Sequence, residues 1–320
     1  MLRNSTNRSV PSPRSCFAQR TRSLVPGREG ADTWGVSDEV SAHSTSRYVS
    51  TKKWRIHLNE AGDGHPVVLL HGSGPGASGW SNFQTNIGPL AQDFRVLAVD
   101  MPGWGDSDTA PPEDRDHVEA LVLLLDELEL DKVAVVGNSM GGMTALRFAV
   151  EHPGRLTHLV PMGAPAPGTR MFSPSGLSEG LKALLAGYED PSSERFKRLV
   201  EVMAYDQRFA TDELAAERSR TATAHPDHLA NFLASWRQGV LNGPLAAFGR
   251  IGARLGDITV PTLVIHGRDD RTVHYENGLQ LVSAIPNSRL LLLNRCGHWA
   301  QLEHADEFNR HVANFVRSAP

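Results

Sequence analysis

The segment Val133-Ala134-Val135-Val136-Gly137-Asn138-Ser139-Met140-Gly141-Gly142 constrains this chain more than any other. Four apolar residues read as a short buried strand. A Gly-x-Ser-x-Gly turn follows at once, and Met143 to Glu151 has helical spacing. A serine on a sharp strand-to-helix turn projects its hydroxyl above the sheet, and the flanking glycines leave room for the close-packed helix. A bare Gly-x-Ser-x-Gly in a chain with 29 glycines is weak, but strand and helix on either side favour a nucleophile.

The rest of the chain supplies a matching frame. Val67 to Leu70, Val96 to Val99, Val133 to Val136, Leu159 to Met162, Thr262 to Ile265 and Leu290 to Leu293 are short apolar runs. Between them lie amphipathic segments such as Val118 to Leu130, with Leu121, Leu124, Leu125 and Leu128 on one face. Strands buried on both faces and alternating with helices predict an α/β architecture around a mostly parallel sheet. The stretch 165–253 breaks the rhythm: it has helical spacings, as at Phe196, Leu199, Val200 and Met203, without intervening strands. It is expected to be a helical cap (165–253) over a core of 46–164 and 254–320, because ligands enter open parallel sheets at the carboxyl edge.

Residues 1–45 differ in kind. Six arginines, at 3, 8, 14, 20, 22 and 28, precede the first acid, Glu29, among many serines. Such a tail is read as disordered, as mitochondrial targeting, or as the product of a start codon set too far upstream. Without a targeting function the location is cytoplasmic. The two cysteines, Cys16 and Cys296, sit in unlike contexts, so a disulfide framework is not expected and a reducing compartment fits. No cluster has the spacing of a structural zinc site, and neither metal nor cofactor is expected. A formal net charge of −4 argues against a nucleic-acid or anionic-membrane partner, and no apolar run is long enough to span a bilayer.

A serine needs a base, and the base needs an orienting acid. The chain offers both after later strands. His266-Gly267-Arg268-Asp269-Asp270-Arg271 follows Thr262 to Ile265, and Asn294-Arg295-Cys296-Gly297-His298-Trp299 follows Leu290 to Leu293. The order Ser139, Asp, His298 is that of the triad template. Asp269 and Asp270 compete for the acid; the template spacing, three residues after the loop glycine, favours Asp270. The oxyanion would be held by backbone N–H groups, one from Met140 and one from the loop His71-Gly72-Ser73-Gly74-Pro75-Gly76. His71 is read as structural. The loop lacks the Gly-Lys-Ser/Thr ending of a phosphate cradle.

With these motifs in hand, the chain from about Tyr48 to Val316 resembles the meta-cleavage product hydrolases, carbon–carbon bond hydrolases of the α/β-hydrolase superfamily. The resemblance rests on HGSGPGASGWSNF (71–83), GNSMGG (137–142), GRDDR (267–271) and CGHWAQLEHADEFN (296–309). It implies an α/β-hydrolase fold with an inserted cap and no cofactor. It implies hydrolysis of the C5–C6 bond of a 2-hydroxy-6-oxohexa-2,4-dienoate, in aromatic compound degradation, to 2-hydroxypenta-2,4-dienoate and a carboxylic acid. Ser139 would attack the C6 carbonyl, His298 would move protons, Asp270 would fix the imidazole, and the amides of Ser73 and Met140 would hold the oxyanion. Gly74, Asn82, Asn138, Arg218 and Trp299 match positions that meet the anionic dienol substrate. By charge pattern alone, Arg218 beside Glu217 and Arg220 reads as part of a solvated face. Family members assemble as dimers or larger homo-oligomers. The C6 substituent is left open. Two rivals share the triad: a serine esterase or acyl hydrolase, which has no need of Arg218, Asn82 and Asn138, and a non-catalytic hydrolase-fold receptor.

Overall fold

The computed structural model describes residues 40–167, 172–173, 176–237 and 244–318. Residues 1–39, which carry most of the expected tail and Cys16, lie outside the described residues. From there the chain makes β1 (Ser46–Ser50), β2 (Arg55–Ala61), β3 (His65–Leu70), α1 (Gly79–Leu90), β4 (Phe94–Val99), α2 (His117–Glu127), β5 (Val133–Asn138), α3 (Met140–Glu151) and β6 (Leu156–Met162). Next come β7 (Phe172–Ser173), β8 (Gly176–Leu177), α4 (Glu179–Glu189), α5 (Ser193–Met203), α6 (Asp212–Ala224), α7 (Pro226–Arg237) and α8 (Pro244–Arg250). The chain then returns through β9 (Thr262–Gly267), α9 (Glu276–Ala284), β10 (Ser288–Leu293), α10 (Ala300–Glu303) and α11 (Ala305–Arg317).

Eight strands form one sheet in the order β1-β2-β4-β3-β5-β6-β9-β10. β1, β2 and β4 join antiparallel, and β4, β3, β5, β6, β9 and β10 pair in parallel. The reason is visible in β3. Its side chains alternate across the sheet: Val67 and Leu69 enter one apolar cluster with Phe83, Ile87, Phe308 and Val312, while Val68 and Leu70 enter the other with Leu121, Leu124, Leu125 and Phe148. A strand buried on both faces must be apolar throughout, and each such side chain contributes about 1.5–3 kcal/mol on burial. The helix expected over Val118 to Leu130 ends at Glu127, because Glu129 takes a positive φ of 54° and turns the chain out of it.

Because β3, β5, β6, β9 and β10 run in parallel, the loops that leave their C-terminal ends emerge on one edge. Ser73, Ser139, Gly163, Asp270 and His298 all lie on those exits. Between β6 and β9 lies the helical segment. It has its own apolar cluster, built from Leu184, Tyr188, Phe196, Leu199, Val200 and Met203, joined by Trp299 from the loop after β10. One expectation is corrected here. The segment is not free of strands, since β7 and β8 form a short antiparallel pair, Phe172 opposite Leu177 and Ser173 opposite Gly176. Strands of two residues are too short to show alternation in a sequence.

Candidate active site

The turn after β5 is built by exclusion. A Cβ on Gly137 would lie 2.2 Å from the Gly141 carbonyl oxygen, and one on Gly141 would lie 2.2 Å from that of Leu70. Glycine alone lets β5 and α3 close up this tightly. Between them Ser139 has φ 53° and ψ −110°, a region that L-residues avoid and that stores strain at functional turns. The strain is held by Ser139 N donating to Met162 O (2.8 Å) and by Gly141 N donating to His71 O (3.1 Å). The second bond pins the start of α3 to the loop after β3. Met140 opens α3, where first-turn amides have no partner inside the helix.

The expected acid and base meet directly. His298 Nδ1 donates to Asp270 Oδ2 at 2.7 Å, with both side chains buried. The other Asp270 oxygen accepts from Thr272 N (2.7 Å) and Val273 N (3.0 Å). Burial alone would raise the Asp270 pKa. The neighbouring His298 and His266 imidazoles overcome it and hold the carboxyl far below the ordinary carboxylate range. Asp270 is therefore a fixed anion, and a proton kept on Nδ1 leaves Nε2 free to act as a base. Asp269, the competing acid, faces Arg268 at 3.8 Å instead.

Asn138 links this pair to Ser139: its Nδ2 donates to the His298 carbonyl at 3.3 Å, and Ser139 is the next residue along the chain. Gly163, at the exit of β6, lies against the imidazole; a Cβ there would be 3.2 Å from His298 Cε1. The Ser139 hydroxyl makes no hydrogen bond to a described residue. Contacts between nucleophile and base are often long in unliganded sites and tighten only with substrate.

The helical segment grips the same loops. His298 N donates to Met203 O at 2.7 Å, Arg271 Nη2 donates to Ala204 O at 3.2 Å, and Ser178 Oγ donates to Thr272 O at 2.9 Å. A cavity of about 160 Å³ opens between that segment and the sheet edge. Ser139, Met140 and Ser73 line it from below; Leu181, Leu184, Phe232 and Trp236 line it from above.

Gly74, Asn82, Asn138, Arg218 and Trp299 do not line this cavity, and neither do Asp270 and His298. Asn82 is buried, and its Oδ1 accepts from Gly72 N at 3.3 Å, which steadies the loop beside Gly74. His71 is structural: Nδ1 bonds Gly72 O at 2.8 Å and Nε2 accepts from Met101 N at 3.0 Å. Arg218 is not on a solvated face. It is buried, its guanidinium lies 4.6 Å from the Trp299 ring centroid, its Nε has no described partner, and burial lowers its pKa to about 10. Trp299 follows His298 directly, so Arg218 is set beside the loop of the expected base.

Sequence reasoning missed several groups. His266 Nε2 lies 3.5 Å from Asp270 Oδ2 and 2.7 Å from Val273 O. Tyr188 donates to Ser73 O at 2.7 Å and accepts from Trp104 Nε1 at 3.0 Å, bracing the loop after β3 from α4. Arg115 and Trp104 line the cavity. They stand in irregular stretches before α2, where no periodicity marks a buried side chain. A group with metal-ligating atoms within 4.8 Å also exists, His57, Asp100 and Asp106. Its ligand positions are in use: His57 bonds Ser46 Oγ (2.9 Å) and Asp100 (2.8 Å), and Asp100 accepts the Gly79 (2.6 Å) and Asp106 (2.9 Å) amides. The donor set fits a loop brace better than an ion.

Residues 65–305 match the model of the alpha/beta hydrolase fold family. A 2-hydroxy-6-oxononadienedioate/2-hydroxy-6-oxononatrienedioate hydrolase from Cupriavidus pinatubonensis is 46% identical over 286 residues, covering 87% of this chain and 97% of that relative. A 2-hydroxy-6-oxo-6-phenylhexa-2,4-dienoate hydrolase from Burkholderia cepacia is 43% identical over 287 residues, covering 87% and 98%. Among solved structures, a meta-cleavage product hydrolase from Pseudomonas fluorescens IP01 superposes with a TM-score of 0.73 at 30% identity, covering 84% of this chain and 96% of the other. Matched along most of its length by the fold model and by these relatives, the chain belongs to the α/β-hydrolase superfamily and, within it, to the meta-cleavage product hydrolases.

Proposed function

We propose that the protein hydrolyses the C5–C6 bond of a 2-hydroxy-6-oxohexa-2,4-dienoate-type ring-cleavage product, as part of aromatic compound degradation. The observation that carries this reading is the buried Asp270–His298 pair tied through Asn138 to the strained Ser139 turn, in a chain whose relatives are named for 6-oxo dienoate hydrolysis. Both relatives' names share the 2-hydroxy-6-oxo dienoate head and differ beyond C6. The head is the part carried over.

The chemistry follows from the residues. The dienol first takes up a proton at C5 and becomes a ketone. His298 Nε2 removes the Ser139 proton as Oγ attacks C6. The tetrahedral oxyanion is held by the amides of Ser73 and Met140. Its collapse breaks C5–C6 and expels a conjugated dienolate, which takes the proton held on His298 Nε2 and leaves as 2-hydroxypenta-2,4-dienoate. Water, deprotonated by His298, then releases the acyl group from Ser139 as a carboxylic acid. Arg218, beside Trp299, receives the dienoate carboxylate, and Gly74, Asn82 and Asn138 keep the surrounding loops close to it. Residues 165–253 act as a cap over a core of 46–164 and 254–320. The apolar cavity wall they supply limits water to what deacylation needs.

A homo-oligomer in the cytoplasm belongs to the same reading. Leu292, exposed on the edge strand β10, and Leu279, exposed on the neighbouring α9, support the first, and the buried free thiol of Cys296 suits a reducing compartment. The decisive test is Ser139→Ala. It is expected to lower kcat by at least about a thousandfold while the yellow dienolate still binds. Full turnover in that variant, or turnover of a p-nitrophenyl ester but of no dienoate, overturns the assignment.

A further inference from the structure

A second buried guanidinium faces the cavity. Arg115 lies before α2 and is only 6% exposed, and its Nη1 is buried with no hydrogen-bond partner among the described residues. It lines the same cavity as Ser139. Its planar group lies 5.1 Å from the centre of the Trp104 ring, which fixes its direction.

The groups around it leave it without an anion. Asp116, the next residue, is fully engaged: its carboxylate takes Arg147 Nη1 (2.8 Å) and Nη2 (2.7 Å) and accepts Val118 N (2.9 Å) and Glu119 N (3.2 Å) at the start of α2. Arg147 also lines the cavity, but Asp116 and Glu151 neutralise it. Tyr188 stays a neutral phenol, because burial pushes its pKa far up. His117 is held neutral by burial and by Arg115 itself, its pKa pushed down to about 3. A buried cation with no counter-ion is costly unless function supplies one. The apolar wall of Phe232, Trp236 and Phe248 would strengthen any ion pair formed there, by excluding water.

Arg218 is a separate group, packed on Trp299 rather than on Trp104. The site thus holds two buried cations with no ion pair among the described residues, one packed beside the base loop and one in the cavity that Ser139 lines. We infer that Arg115 binds a second carboxylate, carried at the end of the C6 acyl chain, so that the cavity selects a dianionic substrate over one with a neutral acyl group. This rests on the reaction proposed above.

The test compares two compounds of equal length, 2-hydroxy-6-oxonona-2,4-diene-1,9-dioate and 2-hydroxy-6-oxonona-2,4-dienoate, with the full chain. The wild type is expected to favour the dioate. In Arg115→Gln the ratio of kcat/KM for dioate over monoacid falls about 50-fold, mostly through KM, and Arg115→Lys recovers part of it. A ratio unchanged in Arg115→Gln, or equal losses on both compounds, overturns the inference. If the wild type cleaves neither compound, the assigned reaction fails separately. Calorimetric titration of wild type and Arg115→Gln with succinate then tests the anion subsite by itself. Binding lost in the variant supports it, and no binding to the wild type, or equal binding to both, sinks it.

Discussion

At the residue scale, the site is built from groups that its own stability would do better without. Arg218 is the plainest case. Its neighbour Glu217 does not bond it, its Nε is unpaired among the described residues, and burial pulls its pKa down. A cation–π contact with Trp299 returns only part of what desolvation takes. Arg218→Met keeps the bulk and removes the charge. It is expected to raise Tm by about 2–6 °C while KM for a dienoate rises by at least about tenfold. A lower Tm with unchanged KM, from thermal melts and steady-state kinetics, makes Arg218 a structural residue. The sequence placed it on a charged face for a sound reason. The buried stripe of α6 is Ala215, Arg218 and Ala222, two small residues and a cation, which carries almost no hydrophobic signal. Asp270 was easier to propose, because the template spacing from Gly267 favours it. What separates it from Asp269 is the direction of a side chain in a turn, and only the folded loop fixes that.

At the element scale, the proposed nucleophile depends on how β5 meets α3. The turn works because three backbones, those of β3, β5 and α3, approach within the space of a missing methyl. Gly141→Ala puts a Cβ against the Leu70 carbonyl oxygen, which belongs to a central strand and cannot move aside. The expected cost is about 3 kcal/mol or more in urea unfolding, with loss of activity even where some protein folds. An unperturbed midpoint would mean that the turn is looser than the close approach implies. The elbow was readable because its glycines, strand and helix are contiguous. The β7–β8 pair and the seating of α5 on the base loop were not. The first is too short for a period, and the second depends on Met203 O meeting His298 N across 95 positions of chain.

At the scale of the whole molecule, several histidines are buried in neutral form, and this ties stability to pH. Burial, with Arg115 and His71 nearby, lowers the His117 pKa from 6.5 to about 3, and burial with His225 lowers that of His228 to about 4. Below pH 6.5 the unfolded chain takes up these protons and the folded chain does not. The stability is therefore whole above pH 6.5 and is lost progressively as pH falls toward 3. His117 alone accounts for about 3 kcal/mol between pH 7 and pH 4. His117→Gln should lose that much less over the same interval in urea titrations, and an identical pH slope in the variant removes His117 as the cause. Taken across the molecule, the sequence by itself determined the parallel sheet, the strained serine turn and the order of acid and base. Each is a local pattern, written in alternating apolar residues or in glycines at fixed offsets. Only the tertiary structure decided which cations lose their water and which acids are already spoken for. Arg115 and Arg218 stand among charged residues along the chain, and their burial without an ion pair among the described residues arises from contacts between segments far apart, where burial and pairing are settled together.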